Sequence, residues 1–234
     1  MSKRHQGKTA VISGAASGIG QASAVRLAEE GAQIVIADRA KADDTLQAVK
    51  AAGGSAVAVQ CDISDPASVA KLRDEVDKNG GRCDILVNNA GIYPMQSFDQ
   101  ITFEDWRRVL SVNLDSMFLM AKAFAGAMRQ RGWGRIINLA SDTVNLLVPD
   151  FVHYITSKAG VVGFTRSLAT ELGPQGDHRQ CHCAGIDAHA GHACPQGRRR
   201  HVQRGAVRDD LEYAVDQALR AGHGSGRRRV VSCQ

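Results

Sequence analysis

The first 176 residues alternate between short apolar runs and longer segments in which apolar residues recur every three or four positions. The short runs are β-branched and apolar on both faces, which predicts strands of a parallel sheet buried under helices. The predicted strands are 9–13, 33–38, 56–60, 84–88 and 134–141. The intervening segments predict amphipathic helices over 18–30, 41–52, 66–79, 102–131 (expected to hold two helices) and 153–172. This alternation predicts one domain over 1–176, a doubly wound α/β sheet or Rossmann fold.

The pattern ends after Gly176. No segment of 177–200 has a clear period of 2 or about 3.6, and no strand pattern follows a possible helix over 206–220. We therefore expect the last strands of the fold to be absent or disordered in this chain, and 177–234 to be a poorly ordered tail. A sheet that stopped at its fifth strand would leave a long apolar edge uncovered.

Length and composition place the chain among soluble globular proteins. It has 234 residues, of which 44% are hydrophobic and 23% charged. No run of about 18 apolar residues predicts a membrane span. The first residues lack the apolar segment of a secretory signal. We therefore expect a cytoplasmic protein in which Cys61 and Cys83 are reduced thiols.

The net charge of +5 is concentrated at one end of the chain. Residues 177–234 carry ten Arg, no Lys and six Asp or Glu, whereas 1–176 carry 19 basic and 18 acidic residues. The predicted domain is therefore nearly neutral, and it shows no basic patch with interleaved aromatic residues. We expect no nucleic-acid partner, and a nucleic-acid binder driven by the tail is the least favoured alternative.

The string SGAASGIG, residues 13–20, follows the first predicted strand and opens the first helix. Glycines in such a turn allow close backbone approach, so a pyrophosphate can rest on the helix N-terminus; alternatively this is a Gly-rich turn without a ligand. Asp38 ends the second strand, where a carboxylate can accept hydrogen bonds from an adenosine ribose and repel a 2′-phosphate. This favours NAD over NADP, although Arg39 beside it could hold that phosphate.

The string YITSK places Tyr154 and Lys158 on the same face of one helix. A free phenol has a pKa of about 10, and a neighbouring ammonium favours its ionised form. The pair could therefore act as a general acid/base, although a Tyr and a Lys at this spacing are usually an ordinary helix face. Ser141, at the end of the preceding predicted strand, could hydrogen-bond a substrate oxygen.

Three further polar features have both a structural and a functional interpretation. NNAG, residues 88–91, ends the fourth strand and could be a loop that bonds its own backbone. Asn113 lies in the first turns of a long helix, where Asn often acts as a cap. Asp62 could belong to a turn that starts the third helix.

In this order the glycine motif, Asp38, NNAG, Asn113, Ser141 and the Tyr-Lys pair resemble the short-chain dehydrogenase/reductase family across residues 8–176. The resemblance implies hydride transfer between NAD(H) and a secondary alcohol or ketone, and a homotetramer, as is common in the family. The implied cofactor contacts are Gly14, Ser17, Gly18, Ile19, Gly20, Asp38, Asp62, Ile63, Asn88, Asn89, Ala90, Gly91, Tyr154 and Lys158.

The resemblance also implies a catalytic tetrad of Asn113, Ser141, Tyr154 and Lys158. In the family the Ser and the Tyr hydrogen-bond the reacting oxygen, and the Tyr passes the proton. The Lys also holds the nicotinamide ribose, and the Asn anchors a water for proton relay. A non-catalytic NAD-binding protein with an altered tail is the alternative function.

Local strings such as GRCDILVNNAGIYP resemble bacterial dehydrogenases of secondary aryl alcohols. The loops at the implied site offer an apolar lining that would suit a flat hydrophobic substrate, although it could equally be ordinary loop packing. These residues are Ile92, Tyr93, Met95, Val144 and Phe151.

Residues 177–194 hold four His and three Cys, and a shifted reading frame accounts for them. Back-translated from Asp177 and read one base later, the degenerate codons can spell ITVNAIAPG and then LTRTPGT. Family members continue after the catalytic helix with a sixth strand and a Pro-Gly turn of this kind. The last five residues, shifted identically, can spell SFLAS. We therefore hypothesise that 177–234 is an out-of-frame translation. We expect this chain to fold poorly and to show little or no NAD-linked turnover.

The rival interpretation is a zinc site, because thiolates and imidazoles are the ligands that zinc prefers. Its candidate ligands are Cys181, Cys183, His189, His192 and Cys194. Cys-x-Cys is not the usual Cys-x-x-Cys loop, and no predicted strand or helix frames it. We therefore expect no metal.

Overall fold

A six-stranded parallel sheet forms the centre of the computed structural model, which describes residues 3–79 and 81–172 and the backbone of 181–184. The strand order is β3-β2-β1-β4-β5-β6. The strands are β1 (Thr9–Ser13), β2 (Gln33–Asp38), β3 (Ser55–Gln60), β4 (Ile85–Asn88), β5 (Arg135–Leu139) and β6 (Cys181–Ala184). The order reverses direction between β1 and β4, so the predicted doubly wound Rossmann fold is confirmed.

Helices connect these strands along the described chain. They are α1 (Gly18–Glu29), α2 (Asp43–Ala51), α3 (Pro66–Lys78), α4 (Phe103–Leu110), α5 (Ser116–Gln130) and α6 (Val152–Leu172). A π-helical segment, Ser111–Asp115, joins α4 to α5, and short 3₁₀ helices occupy Phe98–Gln100 and Asp142–Asn145. The segment 102–131 thus holds the two expected helices, α4 and α5, which the π-helical segment joins without a break.

The core has a layer on each face of the sheet, as strands that are apolar on both sides require. On β1, Ile12 packs with Leu27 of α1 on one face. Val11, the next residue along the strand, packs with Leu72 of α3 and Phe124 of α5 on the other face. Both β1 side chains are fully buried. The period-2 alternation of a strand thus distributes a continuous apolar run between two cores.

The prediction that the sheet ends at its fifth strand is wrong for four residues of the tail. Cys181–Ala184 pairs in parallel with β5, in a register that runs from Ile136↔Cys181 to Leu139↔Ala184. Backbone groups make this pairing, so it needs no apolar pattern in the added strand, and it satisfies N–H and C=O groups that β5 would otherwise expose. Residues 173–180 and 185–234 lie outside the described residues. The out-of-frame segment 177–234 therefore lies outside the described residues, apart from the backbone of β6. The side chains of the candidate zinc ligands lie outside them as well.

One helical element, Phe103–Gln130, is long and apolar enough to cross a membrane by length and composition, with a mean hydropathy of 1.2. Its buried face nevertheless lies against the sheet. Met120, Phe124 and Met128 are fully or almost fully buried in the core on that side. The element is therefore a core helix of the α/β domain.

Candidate active site

Several positions of the turn between β1 and α1 accommodate only glycine. Gly14 and Gly18 have positive φ angles of 65° and 58°, which favour glycine. A Cβ on Gly20 would overlap Gly14 O and lie 2.6 Å from Asn89 Nδ2. A Cβ on Gly18 would meet nothing within 4 Å, so this point of the turn is open. The start of α1 therefore presents backbone at the carboxyl edge of the sheet, in the arrangement that binds phosphates.

The two other predicted residues of this turn differ in exposure. Ser17 is the exposed N-cap residue of α1, and its side chain makes no capping hydrogen bond. Ile19 is half-buried and packs against the apolar core. Ser17 can therefore meet a ligand through its side chain, whereas Ile19 mainly anchors the helix.

Asp38 is fixed beside the glycine turn by hydrogen bonds from the backbone. Its Oδ2 accepts from Ala16 N and its Oδ1 from Ala40 N, both at 2.9 Å. The carboxylate is half-buried at the end of β2. Its position next to the open start of α1 is the one predicted for a ribose-binding carboxylate.

An open pocket of about 710 Å³ lies beyond Asp38. It is lined by Arg39, Ala40, Gln60, Asp62, Ser68 and Lys71. The Asp62 carboxylate accepts from Ser64 N at 3.0 Å and Ser64 Oγ at 2.6 Å, so it does take part in the turn before α3. The Ser64 hydroxyl is the main cause that lowers the pKa of Asp62, and Arg39, 3.9 Å away, lowers it further. Ile63 is buried in the core, so only its backbone is available to a ligand.

The NNAG segment bonds the glycine turn. Asn89 Nδ2 donates to Ser13 O at 3.0 Å and to Gly14 O at 2.8 Å. Ser13 Oγ in turn accepts from Asn89 N and from Ala90 N. The interpretation of NNAG as a loop that bonds only its own backbone is therefore wrong. The segment instead joins the ends of β1 and β4 at the point where the strand order reverses.

Asn113 lies inside the π-helical segment and is 0% exposed. Its Nδ2 donates to Ile92 O at 2.8 Å and to Ser157 Oγ at 3.0 Å. Its Oδ1 accepts from Ile92 N at 2.8 Å. The alternative of a helix cap is wrong, because all of these contacts reach other elements. Asn113 instead ties the loop after β4 to α6.

Tyr154 and Lys158 lie on the same face of α6, as their spacing predicts, and both are buried. Lys158 Nζ donates to Leu139 O at 2.7 Å and lies 5.9 Å from the centroid of the Tyr154 ring. A Cβ built on Gly91 would lie 3.2 Å from Asn113 Oδ1 and 3.7 Å from Lys158 Nζ. Three separate elements therefore bring an amide, an ammonium and a bare stretch of backbone together beside a phenol.

Ser141 lies at the same edge but outside the strand that was predicted to contain it. β5 ends at Leu139, and Ser141 is the N-cap residue of the 3₁₀ helix that follows. Its Oγ accepts from Thr143 N at 3.3 Å and from Thr143 Oγ1 at 2.8 Å. The predicted strand is too long because the side-chain cap turns the chain away from the sheet after Leu139.

Four polar residues of the site escaped the sequence analysis. They are Ser13, Thr143, His153 and Ser157, each of which hydrogen-bonds a predicted site residue or its backbone. Ser157 lies within the string YITSK, so its position there was an available signal. Ser13 likewise lies within the string SGAASGIG, whereas Thr143 and His153 have no distinctive spacing and only the fold reveals them.

The apolar side chains predicted to line the site differ in exposure. Tyr93 and Met95 are 51% and 60% exposed, whereas Ile92 and Val144 are half-buried. Phe151 is buried, and its ring lies edge-on to that of Tyr154 at 5.7 Å between centroids. Further exposed apolar side chains missed by the sequence analysis are Leu146, Leu147 and Val152.

Comparison with known proteins gives a consistent result. The family model described as short chain dehydrogenase matches residues 8–187. D-threitol dehydrogenase from Mycolicibacterium smegmatis is 38% identical over 175 residues, which cover 74% of this chain and 67% of the relative. Glucose 1-dehydrogenase 2 from Bacillus subtilis is 35% identical over 181 residues, covering 75% and 70%. A short chain dehydrogenase from Mycobacterium paratuberculosis, solved bound to NAD, superposes with a TM-score of 0.72 at 33% identity, covering 78% and 72%.

Proposed function

Because the chain belongs to the short-chain dehydrogenase family, we propose that it transfers hydride between NAD(H) and a secondary alcohol or ketone. The observation that carries this proposal is the convergence of Asn113, Lys158 and Gly91 beside Tyr154. This cluster lies at the carboxyl edge of the sheet, where the strand order reverses and ligands of doubly wound folds bind.

The residues at this edge fit a dinucleotide. The start of α1, from Gly14 to Gly20, would hold the pyrophosphate, and Asp38 the adenosine ribose. Asp62 and the backbone of Ile63 would border the adenine, and the segment 89–91 would line the cleft. When bound, NAD supplies the nicotinamide carbon that takes up or releases the hydride.

The protein's own part in the reaction is to hold the reacting oxygen and move its proton. The Ser141 hydroxyl and Tyr154 Oη would both hydrogen-bond that oxygen. During oxidation Tyr154 Oη takes the hydroxyl proton of the alcohol, and during reduction it returns a proton to the forming alcohol. The Lys158 ammonium stabilises the ionised phenol, and Asn113 holds the loop that borders the cluster.

The same site would use NAD in preference to NADP. The Asp38 carboxylate is held by two backbone amides and would repel a 2′-phosphate. Arg39 and Lys71 in the adjoining pocket are the groups that could bind that phosphate instead, so NADP is the second choice. Solved relatives bound to NAD support the first choice.

A hydrophobic or aromatic substrate is proposed because the loops beside Tyr154 carry apolar side chains. Tyr93, Met95 and Leu147 are each at least half exposed, and the Tyr93 ring lies 6.3 Å from that of Tyr154. The relatives are named for polar substrates such as D-threitol, so small polyols are the second candidate class. Turnover of matched aryl secondary alcohols and polyols with NAD would separate the two.

Self-association into a homotetramer and a cytoplasmic location complete the proposal. Phe103 and Phe118 are 71% and 55% exposed on one helical element, and a second copy of the chain would cover them. Cys61 and Cys83 are free and buried, in keeping with a reducing compartment. Sedimentation of the purified chain would give its oligomeric state.

Tyr154→Phe tests the proposed chemistry. The variant should lose NAD-linked turnover but retain NADH binding in a fluorescence titration, because the ring stays and only the proton carrier is removed. Thr156→Val, on the exposed side of α6, is the matched control and should retain turnover. The alternative of a non-catalytic NAD-binding protein predicts NADH binding with no turnover for Tyr154→Phe to remove.

We also propose that residues 177–234 impair the activity of the chain as written. Sequencing DNA through the Gly176 codon tests whether the reading frame shifts there. An intact frame that encodes these residues would refute the shifted-frame hypothesis. If a frame-restored chain turns over secondary alcohols with NAD faster than this chain, the tail is responsible. Equal rates would remove the proposed impairment and leave the proposed chemistry intact.

A further inference from the structure

His153 immediately precedes Tyr154 and is 0% exposed. α6 begins at Val152, and Ile155 N donates to Phe151 O at 2.8 Å. Amide N–H groups ahead of the first intrahelical hydrogen bond need an acceptor from outside the helix ladder. Phe151, at the N-cap position, has no side-chain acceptor to offer, unlike the Ser, Thr, Asp or Asn that usually occupy that position.

The imidazole of His153 supplies an acceptor in this first turn. Tyr154 N donates to His153 Nδ1 at 3.0 Å. Nδ1 can accept only in the neutral tautomer that carries its proton on Nε2. Nε2 is buried, and it has no hydrogen-bond partner among the residues that the structure describes. The side chain is therefore held by its packing and by this one bond to the backbone of Tyr154.

We propose that His153 is a positioning residue for Tyr154. Its uncharged ring closes the first turn of α6 and thereby sets the direction in which the phenol leaves the helix. The inference rests on the proposed role of Tyr154 as the proton carrier. Small displacements of a reacting group are costly, so loss of this bond should slow the reaction more than it weakens cofactor binding.

Protonation of the His153 ring would break its hydrogen bond with Tyr154 N. Nδ1 would become a donor that faces the Tyr154 N–H, and the charge would lie at the positive end of the helix dipole. Burial is the largest cause that lowers the pKa of His153. From α4, Asp105 raises that pKa and Arg108 lowers it; Lys158 lies one turn further along α6. Burial and the bond from Tyr154 N both favour the neutral ring.

A pair of substitutions tests the positioning role in the full chain. His153→Asn places an amide oxygen near the position of Nδ1. His153→Phe replaces the imidazole by an aromatic ring that has no nitrogen acceptor. We expect His153→Phe to lower kcat by about 10- to 100-fold and His153→Asn to retain most of it, with NADH affinity unchanged in both. Equal values of kcat in the two variants would overturn the proposal.

The tautomer can be measured without turnover. In the wild-type chain labelled with ¹⁵N-histidine, NMR should show neutral His153 with its proton on Nε2, and a pKa below the ordinary value of about 6.5. A proton on Nδ1 of the neutral ring would overturn the proposal even if both variants failed to fold. If this tautomer is found but a frame-restored chain shows no turnover with NAD, the proposed function is contradicted and the bond between His153 and Tyr154 stands.

Discussion

Asn113 and Ile92 are joined by two hydrogen bonds of opposite direction, each 2.8 Å long. The amide side chain donates to the carbonyl of Ile92 and accepts from its N–H. It thus pairs with the loop backbone as a neighbouring strand would. A third bond, to Ser157 Oγ, connects this pairing to α6. The loop after β4 is therefore fixed to the helix that carries Tyr154 and Lys158.

Asn113→Ala should destabilise the fold by about 1–3 kcal/mol, because it leaves the N–H and C=O of Ile92 without their partner at a partly buried site. Urea unfolding followed by circular dichroism measures the change. Asn145→Ala, at an exposed position of the 3₁₀ helix after Ser141, is the matched control and should change little. Equal losses in the two variants would contradict the pairing.

Gly20→Ala should weaken NADH binding by more than about tenfold, which corresponds to about 1.4 kcal/mol. The added Cβ would overlap Gly14 O and displace the turn that is proposed to hold the pyrophosphate. Gly163→Ala, where a Cβ on α6 meets nothing within 4 Å, is the control. Fluorescence titration with NADH reports both. Wild-type affinity in Gly20→Ala would show that the turn does not bind the dinucleotide.

Asp38→Asn should shift cofactor preference towards NADP. The amide keeps an oxygen for one of the two N–H groups, of Ala16 or of Ala40, and it no longer repels a 2′-phosphate. The ratio of kcat/KM for NAD to that for NADP should fall by about tenfold or more, or about 1.4 kcal/mol. Asp99→Asn, an exposed carboxylate on the first 3₁₀ helix, should leave the ratio unchanged. An unchanged ratio in Asp38→Asn would mean that another group sets the preference.

The contribution of Asp105 to stability should disappear in acid. Gln96 is the main donor that lowers the pKa of this carboxyl to about 2, and Thr102 and Arg108 assist. Because the folded pKa lies below the unfolded value of about 3.9, the stabilisation is complete above about pH 4. It is lost as pH falls from about 4 towards about 2.

Unfolding of wild type and Asp105→Asn at a series of pH values measures this effect. Asp105→Asn should be the less stable protein near neutral pH, and the difference should shrink as pH falls through that interval. Asp74→Asn, an exposed carboxylate on α3, is the control. A difference that grows in acid would contradict the assigned sign.

Asp150→Val should destabilise the protein by about 1–2 kcal/mol, because a β-branched residue is strained in the left-handed region. Asp150 has a φ angle of 64°, the one positive value of a non-glycine residue in the described part of the chain. Asp150→Gly relieves that strain and is the control. Thermal melting compares the two. Equal melting temperatures would mean that the backbone adopts another conformation in solution.

Much of the fold was predictable because its pattern is local. The apolar runs 9–13 and 33–38 are the strands β1 and β2 with the same bounds, and the spacing of Tyr154 and Lys158 places both on one helix face. The outer strand β6 was not predicted, because strand addition depends on the backbone of the neighbour rather than on the side chains of Cys181–Ala184. The end of β5 was misplaced because the Ser141 cap depends on a contact with Thr143.

The sequence by itself determined the class of fold, the glycine turn, and the residue types that stand at each candidate site position. Each of these follows from the order of residues within one strand, turn or helix. Only the tertiary structure decided which of them meet. Asn89 reaches Gly14 from 75 residues away, and Asn113 reaches Ile92 and Ser157 across 21 and 44 residues. Such contacts depend on how helices pack on the sheet, and no local pattern encodes them.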